Sequence, residues 1–230
     1  MGNLFSYDNP IMQILMKIGD LIILNFIYLF CSLPLFTIGA AQAGLFTAMK
    51  VMQDPEDDTS LVSAFFRGFK NGFGTVTLAW GLMMLGMIGF SCLAVGAYMY
   101  GLPGWLCVIP ACILAWYIAQ IPAFHSRFGC SAGQLIRNVW FLIIAHPLRT
   151  LGTAILFWFP LGLFLLGNIY TFMSMTPIWG TLYFSTAAAF GYSFLKKPFN
   201  VLIEHFQKTQ EEAAKAIEEN AEATPEPEEV

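Results

Sequence analysis

Four amide side chains, Asn25, Gln42, Gln120 and Asn168, stand inside long runs of apolar residues. An amide in that setting has two uses. It can hydrogen-bond a neighbouring helix, a contact worth about 0.6 kcal/mol on average in a membrane, or it can line a hydrated path for a polar solute. Asn25 follows Asp20 by five residues, so the two project about 140° apart on a helix and form no single stripe. Groups that would drive bond-breaking chemistry are sparse. His125, His146 and His205 are scattered, which favours boundary histidines bonded to water or lipid over a metal site. The sequence contains no H-E-x-x-H, no G-x-S-x-G, no phosphate-loop lysine and no dinucleotide-binding glycine pattern. No Asp or Glu falls at the centre of an apolar run, where a proton- or ion-coupled pump places one. Cys31, Cys92, Cys107, Cys112 and Cys130 include no C-x-x-C pair and read as small packing residues rather than zinc ligands or a disulfide framework. The residues therefore assign no catalytic group, no metal and no cofactor, and the reading is of a protein that is not an enzyme.

The elements that must position these amides are membrane-spanning helices. Of 230 residues, 57% are hydrophobic and only 11% charged, against about 25% charged in a soluble domain. Charge is absent from 29 residues (Leu21 to Met49), from 56 (Asn71 to Ser126) and from 46 (Thr150 to Leu195). A spanning helix needs about 20 apolar residues, so the first run holds one span and the others two each. The expectation is an all-α polytopic transmembrane helical bundle of about five spans, near 21–45, 75–98, 105–124, 150–170 and 178–195. Tyr100-Gly101-Leu102-Pro103-Gly104 and Ser174-Met175-Thr176-Pro177 supply the turns within the two longer runs. Tyr98, Trp105, Tyr170 and Trp179 flank them at headgroup level. Lys50, Arg67, Lys70, Arg127, Arg137, Arg149, Lys196 and Lys197 all lie in the other connections, which the positive-inside rule places in the cytoplasm. Five spans then put the N-terminus outside and the C-terminus inside, with Lys17 the one cation on the wrong side. The run from Leu21 is too long for a signal peptide and continues past Ala41-Gln42-Ala43.

Amphipathic segments border the spans. Ile11, Ile14, Leu15 and Ile18 share a helical face within an interfacial segment, 1–19, ahead of the five-span domain, 20–199. Asp54 to Ser60 forms a polar loop able to cap a helix in which Leu61, Phe65, Phe69 and Phe73 share a face and Arg67 and Lys70 reach lipid phosphates. Gln134 to Arg149 is a comparable segment. An offset of 75 places Phe65-Phe66 on Trp140-Phe141, Asn71 on His146 and Thr75 on Thr150, consistent with a parallel internal repeat. Residues 200–230 form an acidic cytoplasmic tail, a charged helix to Ala221 and then a disordered end from Thr224 to Val230. Nine of the fifteen acidic residues lie in it, so the net charge of −4 describes the tail and no substrate, and nothing points to nucleic acid.

Residues 31–44, CSLPLFTIGAAQAG, set Pro34, Thr37, Gly39 and Gly44 inside the first apolar run. As one helix that run would be about 43 Å long, against a hydrocarbon core of about 30 Å. Pro34 predicts a bend between Phe30 and Pro34, and Gly39, Ala40, Ala43 and Gly44 predict close approach of another helix. A second reading makes the break a solute or ion site lined by freed carbonyls.

Lys17 to Asn25, Ser32 to Ala40 and Phe65 to Phe73 resemble the motifs of the YesL family of bacterial membrane proteins, over about residues 4–205. That family has no known biochemical function. The resemblance implies a bacterial cytoplasmic membrane, a genetic association with carbohydrate ABC importers and no catalytic residues. Asp20, Asn25, Pro34, Thr37, Gly39, Gln42, Asn71 and Gln120 are the candidate functional or packing positions. The expected role is a non-catalytic accessory or regulatory membrane protein beside a carbohydrate ABC importer, with membrane lipids, the importer permease and further copies of itself as partners. The alternative is a small independent transporter or channel for a polar solute that uses the Pro34–Gly39 break.

Overall fold

The computed structural model describes residues 10–54, 57–166 and 169–222. Asn168, the segment from Thr224 and the side chain of His205 lie outside what is described. Helices fill the described chain, with no strand among the described residues. In order they are α1 (Pro10–Cys31), α2 (Ile38–Met52), α3 (Leu61–Gly72), α4 (Thr75–Met99), α5 (Trp105–Phe128), α6 (Ala132–Ala145), α7 (Pro147–Leu166), α8 (Ile169–Ser174), α9 (Thr176–Ile178) and α10 (Phe184–Glu222). A 3-10 turn (Leu35–Thr37) precedes α2, and a π-helical turn (Trp179–Tyr183) precedes α10. Five stretches are long and apolar enough to cross a membrane: Ile11–Cys31, Leu35–Met52, Thr75–Met99, Trp105–Phe128 and Pro147–Leu165. The chain is an all-α polytopic bundle.

Three of these stretches, Thr75–Met99, Trp105–Phe128 and Pro147–Leu165, fall where the sequence places a span, and the other two do not. The Leu21–Met49 run divides into two helices, and the amphipathic turn expected as a separate segment before residue 20 is continuous with α1. Pro34 explains the division. It sits in extended backbone at φ −74° and ψ 113°; it has no N–H to donate and pushes the residue before it out of the α region. The helix therefore stops at Cys31 instead of bending. Tyr28 on α1 and Gln42, Leu45 and Phe46 on α2 line one small cavity. In a single straight helix, Tyr28 and Leu45 would be about 25 Å apart, so α2 folds back beside α1. Phe30, Leu33, Leu35 and Phe36 form the exposed tip of this hairpin. The stretch 178–195 also differs, because the π-helical turn and the start of α10 share it and α10 runs unbroken past Lys196 and Lys197.

The α4–α5 turn falls where Gly and Pro placed it. Gly101 takes φ +70°, a conformation that glycine adopts without steric cost. Gly129 takes φ +57° and ends α5 with its N–H on the His125 carbonyl at 3.0 Å. Ser60 stands at the N-cap of α3 without a side-chain cap bond, its carbonyl taking the first helical bond from Ala64 N–H at 2.9 Å. The order helix, short helix, helix recurs as α2-α3-α4 and α5-α6-α7.

α2 is the axis of the bundle. Of its apolar window 67% is buried, against 17% for α1, α4 and α7. Its small residues allow this. A Cβ on Gly44 would lie 2.7 Å from the Phe65 carbonyl oxygen, and one on Gly39 would lie 2.8 Å from the Trp80 ring. Across the same contact a Cβ on Gly68 would collide with Thr47, and one on Gly72 would lie 3.1 Å from that of Ala43. Thr47 pairs with Gly68 and Ala43 with Gly72, so α3 runs antiparallel to α2 with Ala64, Phe65, Gly68 and Gly72 buried.

Gly68→Leu is expected to force α3 off α2 and lower the melting temperature of the detergent-solubilised protein by several degrees, since overpacking costs about 1–3 kcal/mol. Gly81→Ala, with nothing within 4 Å of its new Cβ, should leave the melting curve unchanged or slightly raised. Equal curves for the two variants would show that α2 and α3 are not in backbone contact.

Candidate functional site

Thr37 closes the break. Its hydroxyl lies 2.6 Å from the Cys31 carbonyl and 2.7 Å from that of Pro34, and its N–H donates to the Pro34 carbonyl at 2.8 Å. Thr37 thus serves the carbonyls of Cys31 and Pro34, while that of Phe30, which Pro34 has no N–H to meet, takes the Leu33 N–H at 3.3 Å. Pro34 itself is exposed at the hairpin tip, while Gly39 is buried under Trp80. Asp20 is exposed on α1 and is not brought to Asn25.

Asn25 is fully buried and spends its amide on a distant segment. Nδ2 donates to the carbonyls of Trp179 at 3.1 Å and Gly180 at 2.9 Å, and Oδ1 accepts the Ser185 N–H at 3.1 Å. These partners lie in and just after the π-helical turn, whose i→i+5 spacing leaves backbone groups short of regular partners. One side chain therefore supports an irregular turn inside an apolar bundle.

Gln120, also fully buried, ties α5 to α7. Its Nε2 donates to the Thr150 carbonyl at 2.8 Å, and the Thr153 hydroxyl lies 2.8 Å from Nε2 and 2.9 Å from Oε1. Four further bonds follow the same plan. Trp158 Nε1 donates to the Ala115 carbonyl at 2.7 Å, Tyr183 Oη to that of Leu156 at 2.7 Å, Gln53 Nε2 to that of Ala189 at 3.1 Å, and Tyr117 Oη to that of Ile136. A helical carbonyl keeps a second lone pair after its i→i+4 bond, so these side chains join helices without breaking any.

Gln42 differs. Its Oε1 is buried and has no hydrogen-bond partner. It lines the cavity that Tyr28 and Thr153 also border, about 20 Å³ in volume, room for about one water molecule. Gln42 and Thr153, the partner of Gln120, thus meet at one cavity, whereas Asn25 belongs to a separate set of bonds.

Asn71 lies elsewhere, in a polar cleft with Lys50, Arg67, His125 and Arg127. As sequence, those cations marked only the cytoplasmic face. Their convergence was hidden because it needs three helices to meet. The threonine pair Thr150 and Thr153, three apart and so on one helical face, was the available signal for a Gln120 partner.

The close packing of α2, the Thr37 closure and Asn71 all fall in one stretch of chain. Residues 21–93 match the family described as a protein of unknown function, DUF624. The DUF624 match takes in α1 from Leu21, the Pro34 break, α2, α3 and α4 as far as Leu93. No curated protein and no solved structure matches the chain.

Asn25→Leu strands two carbonyls and the Ser185 N–H and should destabilise by about 1–3 kcal/mol in reversible mixed-micelle unfolding. Gln42→Leu removes an acceptor that has no partner and should be neutral or stabilising. A loss at Gln42 as large as that at Asn25 would mean that Gln42 binds a group within the cavity.

Proposed function

We propose that the chain is a non-catalytic accessory or regulatory integral membrane protein, working beside a carbohydrate importer of the ABC class in a bacterial cytoplasmic membrane. The observation that carries this reading is the use of the interior polar groups. Asn25 and Gln120, with Thr150, Thr153, Trp158 and Tyr183, are consumed in bonds between segments, and the cavity among the central helices is about 20 Å³. Such an interior suits a scaffold better than a path for a sugar. The resemblance to the YesL motifs supplies the carbohydrate importer, and the DUF624 match is compatible with it. Exposed aromatic side chains on the outer faces of α3 and α6, among them Phe66, Trp140 and Phe141, offer apolar surface to lipid or to a permease helix. The transporter reading keeps in its favour the partnerless Gln42 oxygen at the cavity, together with the partnerless hydroxyls of Ser32 and Thr77 and the indole N–H groups of Trp80, Trp116 and Trp179.

The hairpin changes the proposed orientation. An external N-terminal side rested on one crossing between Leu21 and Met49. With α1 and α2 as two crossings, Lys17 and Lys50 fall on the same side, which the positive-inside rule makes the cytoplasm, and Lys196 and Lys197 join them when 178–195 crosses as well. In a cysteine-free background, Asp20→Cys should react with a membrane-impermeant maleimide in inside-out vesicles and not in intact spheroplasts, while Leu102→Cys should do the reverse. Labelling of Asp20→Cys from outside would restore the single crossing.

Tagged protein extracted from its native cells in mild detergent should carry an ABC permease in near-equal amount, identified by mass spectrometry. Recovery of the protein alone, together with sugar flux in proteoliposomes of the pure chain, would replace this reading with an independent transporter.

A further inference from the structure

A cleft of about 490 Å³ opens between the end of α2, the flank of α3 and the end of α5. Lys50 comes from the first, Arg67 and Asn71 from the second, and His125 and Arg127 from the third. We propose that this cleft binds a phosphate-bearing anion, either the headgroup of an acidic phospholipid or a soluble phosphate ester.

Three cations from three helices face one concavity, and no carboxylate is among its lining residues. Like charges converging on one concavity repel one another, and a dianionic or monoanionic phosphate relieves that repulsion while accepting several charge-assisted hydrogen bonds. The two guanidinium groups offer planar donor pairs matched to phosphate oxygens, and Lys50 supplies a mobile point charge. The hydroxyls of Thr47 and Ser126 do not add donors, because they already donate to the carbonyls of Ala43 at 2.8 Å and Ala123 at 2.7 Å. The donors left are the cations, the Asn71 amide and a ring N–H of His125. Two acids lie beside the cleft without lining it. The Asp57 carboxyl, on the loop before α3, is held below the ordinary range by hydrogen bonds from Thr59 and, beyond those, by Arg67 and Lys50. Asp54, just after α2, acts on Tyr192, the side chain that Arg127 also meets. These two offset part of the field of the three cations from outside the concavity.

The backbone builds this place. Any side chain at Gly68 would collide with Thr47, so glycine lets α3 bring Arg67 and Asn71 over Lys50. Gly129, at φ +57°, ends α5 directly after Arg127 and Phe128, and Arg127 Nη1 lies 3.5 Å from Tyr192 Oη on α10, which aims the guanidinium. A row of interfacial cations reaching separate lipids would need none of these contacts. The site goes beyond the accessory reading, which would survive its loss.

The test uses the full chain in phosphatidylcholine nanodiscs, with glycerol 3-phosphate titrated calorimetrically, and native mass spectrometry of the detergent-solubilised protein after addition of phosphatidylglycerol. The wild type is expected to bind one of the two probes at least tenfold more tightly than Arg67→Gln/Arg127→Gln, with Arg149→Gln, outside the cleft, unchanged. Binding of glycerol 3-phosphate identifies a soluble ester, and selective retention of phosphatidylglycerol identifies a lipid headgroup. Lys50→Gln supplies the same comparison should the double variant not fold, as judged by its melting curve. Equal binding by wild type and cleft variants, or no binding of either probe, overturns the proposal.

Discussion

The close approach of other helices to α2 is the constraint on which the rest of this bundle depends. Between helices in lipid there is little hydrophobic gain, because the surrounding chains are as apolar as leucine. Association then rests on dispersion across short distances and on polar groups that have nowhere else to bond. Gly39, Ala40, Ala43 and Gly44 provide the short distances, with Gly68 and Gly72 answering from α3. Larger residues at these sites would displace the α3 backbone and the Trp80 ring, and with them the start of α4.

Polar side chains complete what close packing begins. Asn25, Gln53, Tyr117, Gln120, Trp158 and Tyr183 each reach the backbone carbonyl of another segment. This arrangement shows how two breaks in helical structure are held within an apolar bundle. At the first interruption Thr37 meets the carbonyls beside Pro34, and at the second Asn25 meets those of the π-helical turn. The two irregularities belong to one physical solution, in which a single side chain closes each break.

Much of this was legible in the sequence because local chemistry dictates it. The charge-free runs gave the helical membrane class, Gly101 gave the α4–α5 turn, and the small residues around Gly39 and Gly44 gave the packing face. Pro34 announced a break, but its depth was not legible. A bend and a reversal differ only in whether α2 finds Tyr28 beside it, and that depends on contacts between helices. The partners of Asn25 were hidden for a related reason. They are backbone carbonyls 154 and 155 residues away, and carbonyls carry no residue-type signal. Lys50, Arg67 and Arg127 were each visible as interfacial charges, yet their shared cleft exists only once α2, α3 and α5 are assembled.

The interior around α2 is read here as a closed scaffold. Gln42 is its most sensitive point, being the buried amide whose oxygen faces the central cavity without a partner. The direct measurement is the reactivity of Gln42→Cys, in a cysteine-free background, toward a small membrane-impermeant methanethiosulfonate applied from either side of oriented vesicles, with and without sugars. A closed scaffold predicts no labelling from either side under any of these conditions. Labelling from one side, or labelling that a sugar alters, would show a path through the bundle in place of a closed scaffold.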